Sequence, residues 1–156
     1  MVFAPASLIL TNYYLPISGA LGIQGGLVPI TIFYASFLAL FYIYLSLRII
    51  GIRKEVRASI GDGGSNELNR AIRVHANFSE YVPLTLLLLY FLETHNANAI
   101  VVHFLAALLL IARVVHAYGV SQTEENLKFR VFGMFSTICV IAVSSIYLML
   151  LGAGIA

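Results

Sequence analysis

Arg70-Ala-Ile-Arg73-Val-His75-Ala-Asn77-Phe-Ser-Glu80-Tyr81-Val-Pro83 runs straight into Leu84-Thr-Leu-Leu-Leu-Leu-Tyr-Phe-Leu92, a stretch hydrophobic enough to lie in lipid. Read as one α-helix turning about 100° per residue, it gathers Arg70, Arg73, Asn77, Glu80 and Tyr81 into a sector roughly 100° wide. His75 points away from that sector. From Arg70 to Glu80 the polar ladder climbs about 15 Å, half of a ~30 Å hydrocarbon core. Ionisable side chains at such depth are expensive and face a bundle interior or a wet cavity. The structural alternative has Arg70 and Arg73 snorkelling to the interface and Glu80 serving as a paired carboxylate. Asn77 and Glu80 lie too deep for snorkelling.

The composition asks for a membrane. Of 156 residues, 60% are hydrophobic and 10% charged, with a mean hydropathy of +0.93. A soluble domain carries about 25% charged residues. The length suits one domain. Cys139 stands alone in Ile138-Cys-Val-Ile-Ala142, so an internal disulfide is impossible and a small packing residue is expected.

Outward from the ladder, four apolar spans are expected. Leu27 to Ile50 is the first, with Pro29 tolerated in its first turn. Gly61-Asp-Gly-Gly-Ser65 is turn chemistry, and Ser65 or Asn66 can cap the second helix, with Glu67 favourable in its first turn. That helix reaches about Leu92, and Pro83 is expected to kink it. After the polar turn Glu93–Asn98 comes the third span, Ala99 to about Tyr118. A polar loop over Gly119–Asn126 and a fourth span from about Leu127 to Leu151 follow. Residues 1–26 are apolar but broken by proline and glycine. They carry no Lys or Arg, which argues against a cleaved signal. They read as an interfacial segment with Tyr13 and Tyr14 at headgroup level. Gly22 and Gly26 read as irregular backbone, and residues 152–156 as a tail. The fold class is an all-α integral membrane protein, an antiparallel four-helix transmembrane bundle spanning 27–151.

All nine Lys and Arg residues flank the loop between spans one and two or the loop between spans three and four. By the positive-inside rule both basic loops are cytoplasmic and both termini face outward. Arg113 and His116, three residues apart on the third span, are neighbours on one face. Lys128 and Arg130 open the fourth span. With the second-helix ladder they form a cationic, partly desolvated pocket holding one deep carboxylate. A small anion from the cytosol suits that field. Glu80 can pair with a ligand ammonium, and Asn77 can give and accept hydrogen bonds.

Arg70-x-x-Arg73-x-x-x-Asn77-x-x-Glu80-Tyr81-x-Pro83 resembles the signature of the MAPEG superfamily, the membrane-associated proteins in eicosanoid and glutathione metabolism. Gly-Asp-Gly-Gly-Ser, Arg73-Val-His-Ala-Asn77 and Arg113-x-x-His116-x-Tyr118-Gly119 are most similar to its small bacterial inner-membrane members. The resemblance covers roughly residues 30–150. It implies a homotrimer, with glutathione as co-substrate bound between subunits near the cytoplasmic face. In glutathione-binding members the positions matching Arg73, Asn77, Glu80 and Tyr81 hold the tripeptide. Arg130 matches an arginine that polarises its thiol, Arg113 one late in the third span, and Arg48 or Arg53 a contributing first-span arginine. Arg70 and His116 complete the expected glutathione site.

The activity so implied is glutathione conjugation or glutathione-dependent peroxide reduction, directed at a small hydrophobic electrophile from the bilayer. The alternative is a non-catalytic lipid-binding or scaffold protein of the same fold. Three departures leave the second substrate open. Ala76 stands where one branch has an arginine, His116 where another has a tyrosine, and Val120 where that branch has its second. An ion or solute pathway needs deep charges on several helices, and only the second has a deep carboxylate. The four histidines show no metal-binding spacing, and the basic residues are not interleaved with exposed aromatics as nucleic-acid binding needs.

Positive-inside topology has a direct test. Alkaline phosphatase fused after Ala156 should be active and green fluorescent protein at the same point dark; the reverse pattern would invert the orientation.

Overall fold

The computed structural model describes residues 29–122 and 127–155, and the readings made for 1–26 lie outside them. Four helices account for nearly all of the described chain: α1 (Ile30–Val56), α2 (Asn66–Thr94), α3 (Ala99–Ser121) and α4 (Leu127–Gly152). At 1.5 Å per residue they are about 35–44 Å long, more than a ~30 Å hydrocarbon core. Three of them, α1, α3 and α4, are long and apolar enough to cross a membrane. The ladder lowers the hydropathy of α2 below theirs.

Contacts between helix ends fix the directions. The start of α1 meets the end of α2 through Ile30 and Glu93, and the start of α2 meets the end of α3 through Arg70 and Val120. Asn98 before α3 meets Tyr147 near the end of α4. Successive helices therefore run antiparallel, as connections of a few residues require. The core between them is aliphatic and aromatic, built on Leu38, Leu45, Phe78, Leu89, Val102, Leu109 and Val140. The outer faces of α1, α3 and α4 expose Leu40, Phe104, Phe135 and Met149, a surface suited to acyl chains. The chain is an integral membrane protein.

Local chemistry sets the ends. Ser65 Oγ accepts from the Leu68 amide and Asn98 Oδ1 from the Ile100 amide, so α2 and α3 begin on side-chain caps. Pro29 offers α1 no side-chain cap. The Glu93 carboxylate, from the last turn of α2, takes over by accepting from the amides of both Ile30 and Thr31. A carboxylate at a helix N-terminus also meets the positive end of its dipole.

Three boundaries differ from the sequence reading. Pro29, expected inside the first turn of α1, stands at its N-cap instead. The expected loop Gly119–Asn126 begins as helix, since Gly119, Val120 and Ser121 continue α3. Those last residues stay helical because Ser121 Oγ donates to the Ala117 carbonyl and Arg70 Nη1 to the Val120 carbonyl. α1 likewise passes Ile50 and ends only at Arg57, in the left-handed region at φ 55°. α2 is a single helix through Pro83.

α3 and α4 approach closely toward the C-terminus of α3 and the N-terminus of α4 because two glycines face the partner helix. A Cβ on Gly133 would lie 2.6 Å from the Ala112 carbonyl oxygen and 2.6 Å from His116 Cβ, and one on Gly119 2.9 Å from the Arg130 amide nitrogen. Small residues at such contacts let membrane helices meet backbone to backbone. Gly133→Ala should lower stability by about 1–3 kcal/mol, since a carbonyl cannot swing aside like a side chain. Gly51→Ala, with nothing within 4 Å of the added carbon, should leave stability unchanged or raise it. Thermal unfolding in detergent checks both; equal melting of Gly133→Ala and the parent would deny the close contact.

Candidate functional site

The second helix turns its two faces to different tasks, as its periodicity requires. His75 packs against α1, its ring stacked on Tyr42 with centroids 4.6 Å apart and Nε2 3.0 Å from Ser46 Oγ. The ladder faces the other way. Arg73 and Asn77 of α2, His116 and Val120 of α3, and Arg130, Val131 and Met134 of α4 line a cavity of about 340 Å³. Four of the expected site residues, Arg73, Asn77, His116 and Arg130, thus come together.

The α3–α4 contact positions half of this wall. Because Gly133 lets His116 sit against α4, His116 Nδ1 lies 3.2 Å from the Arg130 carbonyl oxygen. A carbonyl only accepts, so Nδ1 carries the hydrogen and donates, which leaves Nε2 as the acceptor of the neutral ring. Arg130, in the first turn of α4, is exposed, as is Arg73.

Behind the cavity wall, Arg113 is buried between helices. Its Nη2 donates to Asn77 Oδ1 at 2.6 Å, and Nη1 reaches Thr137 Oγ1 at 3.4 Å. Thr137 in turn donates to the Gly133 carbonyl at 2.8 Å. Met134 and Thr137 were not legible as site residues one by one. They stand four and seven residues after Arg130, on the same stripe of α4, and that spacing is the signal that points to them.

The remaining expected residues lie elsewhere. Glu80 is exposed midway along α2, about 21 Å from the helix start, and has no hydrogen-bond or ion-pair partner among the described residues. Tyr81 is half-buried beside it. Arg70 reaches the end of α3 through the Val120 carbonyl. Arg48, the other first-span candidate, donates to Ser121 Oγ at 2.6 Å. Arg53 turns into the 57–65 connection, where Nη1 donates to the carbonyls of Ala58, Ser59 and Gly61 at 3.3, 3.5 and 2.9 Å. Among the described residues no group of three or more His, Cys, Asp or Glu side chains is placed to hold a metal ion.

The cavity wall therefore draws its donors from two guanidiniums and one carboxamide, while the His116 ring has already committed its N–H to the Arg130 carbonyl. Such a wall attracts an anion with several acceptor oxygens, and guanidinium–carboxylate pairing is among the strongest polar contacts available to it.

Comparison with known proteins places the whole helical region in one family. The model of the MAPEG family matches residues 31–150. The chain is 36% identical over 106 residues to the inner membrane protein YecN of Escherichia coli strain K12, a match covering 68% of this chain and 79% of that one. The YecN of the Escherichia coli O6:H1 strain CFT073 matches to the same extent.

Arg53 thus ties down a loop, and its removal should show there. In Arg53→Ala, amide exchange over residues 58–64 should speed up by about fivefold, the loss of roughly 1 kcal/mol of hydrogen bonding, while α3 and α4 stay protected. Unchanged exchange in the loop would contradict the assignment.

Proposed function

This chain belongs to the MAPEG family, and from that membership we propose that it is a membrane-bound glutathione-dependent transferase or peroxidase. The observation that carries the reading is the cavity where Arg73, Asn77 and Arg130 bring their donors together beside His116, with the carboxylate of Glu80 further along the helix that carries Arg73 and Asn77. Glutathione offers the complement: two carboxylates, an ammonium and a thiol. Arg73 and Asn77 meet its acceptor oxygens, Glu80 its ammonium, Tyr81 lies alongside, and Arg130 faces the sulfur.

An exposed carboxylate midway along a membrane-length helix needs a cover. A second copy of the chain supplies it in the homotrimer proposed here, with the tripeptide held between copies. In that assembly α2 is the fourth transmembrane crossing. The basic loops lie in the cytosol and the termini outside, in a bacterial inner membrane like that of the relatives.

The chemistry follows from charge. A free thiol has a pKa of ~8.5, so only a few per cent is thiolate at neutral pH. A guanidinium beside the sulfur favours the charged form; a drop of ~2 units, about 2.7 kcal/mol, makes it mostly thiolate. In conjugation the sulfur lone pair forms a C–S bond to a bilayer-dissolved electrophile as the leaving group departs with its electrons. In peroxide reduction the thiolate takes one peroxide oxygen, releasing the alcohol after proton uptake. A second glutathione then converts the resulting sulfenic acid to disulfide and water.

Difference absorbance of the thiolate on mixing glutathione with purified protein tests this directly. The parent should show a strong thiolate band at neutral pH, and Arg130→Ala should return it to a few per cent while still binding. Equal bands in both would remove Arg130 from the thiol. Glu80→Gln should abolish retention on immobilised glutathione. Retention without turnover of any electrophile or peroxide would favour a non-catalytic binding protein.

A further inference from the structure

Arg113 is the largest fully buried side chain among the described residues, 1% exposed, and no carboxylate meets it. Its partners are the neutral Asn77 Oδ1 and Thr137 Oγ1, and its Nε has none. A cation buried with neutral partners is costly, so its retention asks what it does. It does not line the cavity. It reaches the cavity only through Asn77.

A guanidinium can only donate, so the Asn77 atom 2.6 Å from Nη2 is the carboxamide oxygen. The amide nitrogen must then point the other way. Its nearest partner there is Met134 Sδ at 3.9 Å, a weak acceptor on the cavity wall. Thr137 is fixed in the same sense: its hydroxyl donates to the Gly133 carbonyl and so turns a lone pair toward Arg113. One guanidinium on α3 thereby joins α2 to α4 and decides which end of the Asn77 amide the cavity sees.

We propose that Arg113 is a positioning residue. By holding the Asn77 oxygen it keeps the amide N–H₂ turned into the cavity, where it recognises an acceptor oxygen of the bound anion, a carboxylate or a peptide carbonyl. The bonded cation also polarises the amide and strengthens it as a donor. Without Arg113 the amide rotates and offers its oxygen, which a carboxylate repels. The ligand's identity rests on the glutathione reading; the orientation of the amide belongs to the unliganded protein.

Two measurements separate the parts. In the ligand-free protein labelled with ¹⁵N-asparagine, the Asn77 side-chain signal, identified by its loss in Asn77→Ala, should move to the range of exposed asparagines in Arg113→Gln. An unmoved signal would overturn the proposal whether or not glutathione binds. In the second measurement, Asn77→Ala and Arg113→Gln should each weaken glutathione binding by about tenfold or more. The double variant should be no weaker than Asn77→Ala alone, because both changes remove one interaction. Additive losses, on the order of a hundredfold together, would make Arg113 an independent contact and overturn the proposal. Arg113→Lys, which keeps a donor in reach, should recover part of the affinity; Arg113→Met, which offers no donor, serves for both measurements if Arg113→Gln fails to fold. Asn77→Asp keeps an acceptor for Arg113 and should melt no lower than the parent, yet lose glutathione; parent-like binding would overturn the proposal. Failure of the parent itself to bind glutathione would sink the functional reading and leave the amide signal to decide the orientation.

Discussion

Polar groups inside a membrane bundle must find their hydrogen bonds within protein, because the surrounding hydrocarbon offers none. The bond from Arg113 to Asn77 is where this constraint acts most strongly. It draws α2 and α3 together at a point where aliphatic packing alone has no reason to fix a distance, and through Thr137 it engages α4 as well. The glycine contact at Gly133 and Gly119 makes that reach possible by bringing the α3 and α4 backbones close. Polar bond and glycine contact together shape one wall of the cavity. The other wall is the ladder on α2.

The same rule governs both ends of the bundle. On the side of the α1 N-terminus, Glu93 closes α1 by accepting from two of its first amides. On the other side, Arg70 and Arg48 close the end of α3, one directly on a carbonyl and one through Ser121. Charged residues that a hydropathy plot counts as interruptions thus act as connectors between helices. On the ladder, Arg73 and Glu80 have no such internal use among the described residues, and both are exposed. Their position, more than their charge, is what supports the proposal that the ladder face serves something outside the chain.

Much of this was legible in the sequence because it depended on periodicity. The split of α2 into a ladder face and a His75 face follows from 100° per residue, and the Tyr42 stack confirms the second of them. The four helices follow from apolar run length and turn residues, and Ser65 as a cap from its chemistry. Relations between distant residues were not legible. Glu93 sat in what read as a polar turn, and nothing local says that it serves a helix starting 63 positions earlier. Arg53 carried a plausible binding role, yet the αL turn at Arg57 brings the loop carbonyls of Ala58, Ser59 and Gly61 within its reach. Arg113 and His116 were correctly neighbours on one face, but only packing reveals that one is sealed behind the wall while the other forms part of it.

The central claim is that the ladder face of α2 is covered by protein and encloses a ligand, and is not left to acyl chains. Leu84 lies on that face one turn beyond Glu80, and Phe135 on α4 is an outward-facing control. A spin label placed at each in turn, with the protein in lipid bilayers, reports collision with dissolved oxygen, which concentrates among acyl chains. The label at Leu84 should be shielded well below the label at Phe135, and further shielded when glutathione is added. Equal oxygen collision at the two positions, unchanged by glutathione, would place Glu80 and Arg73 against lipid and contradict the claim.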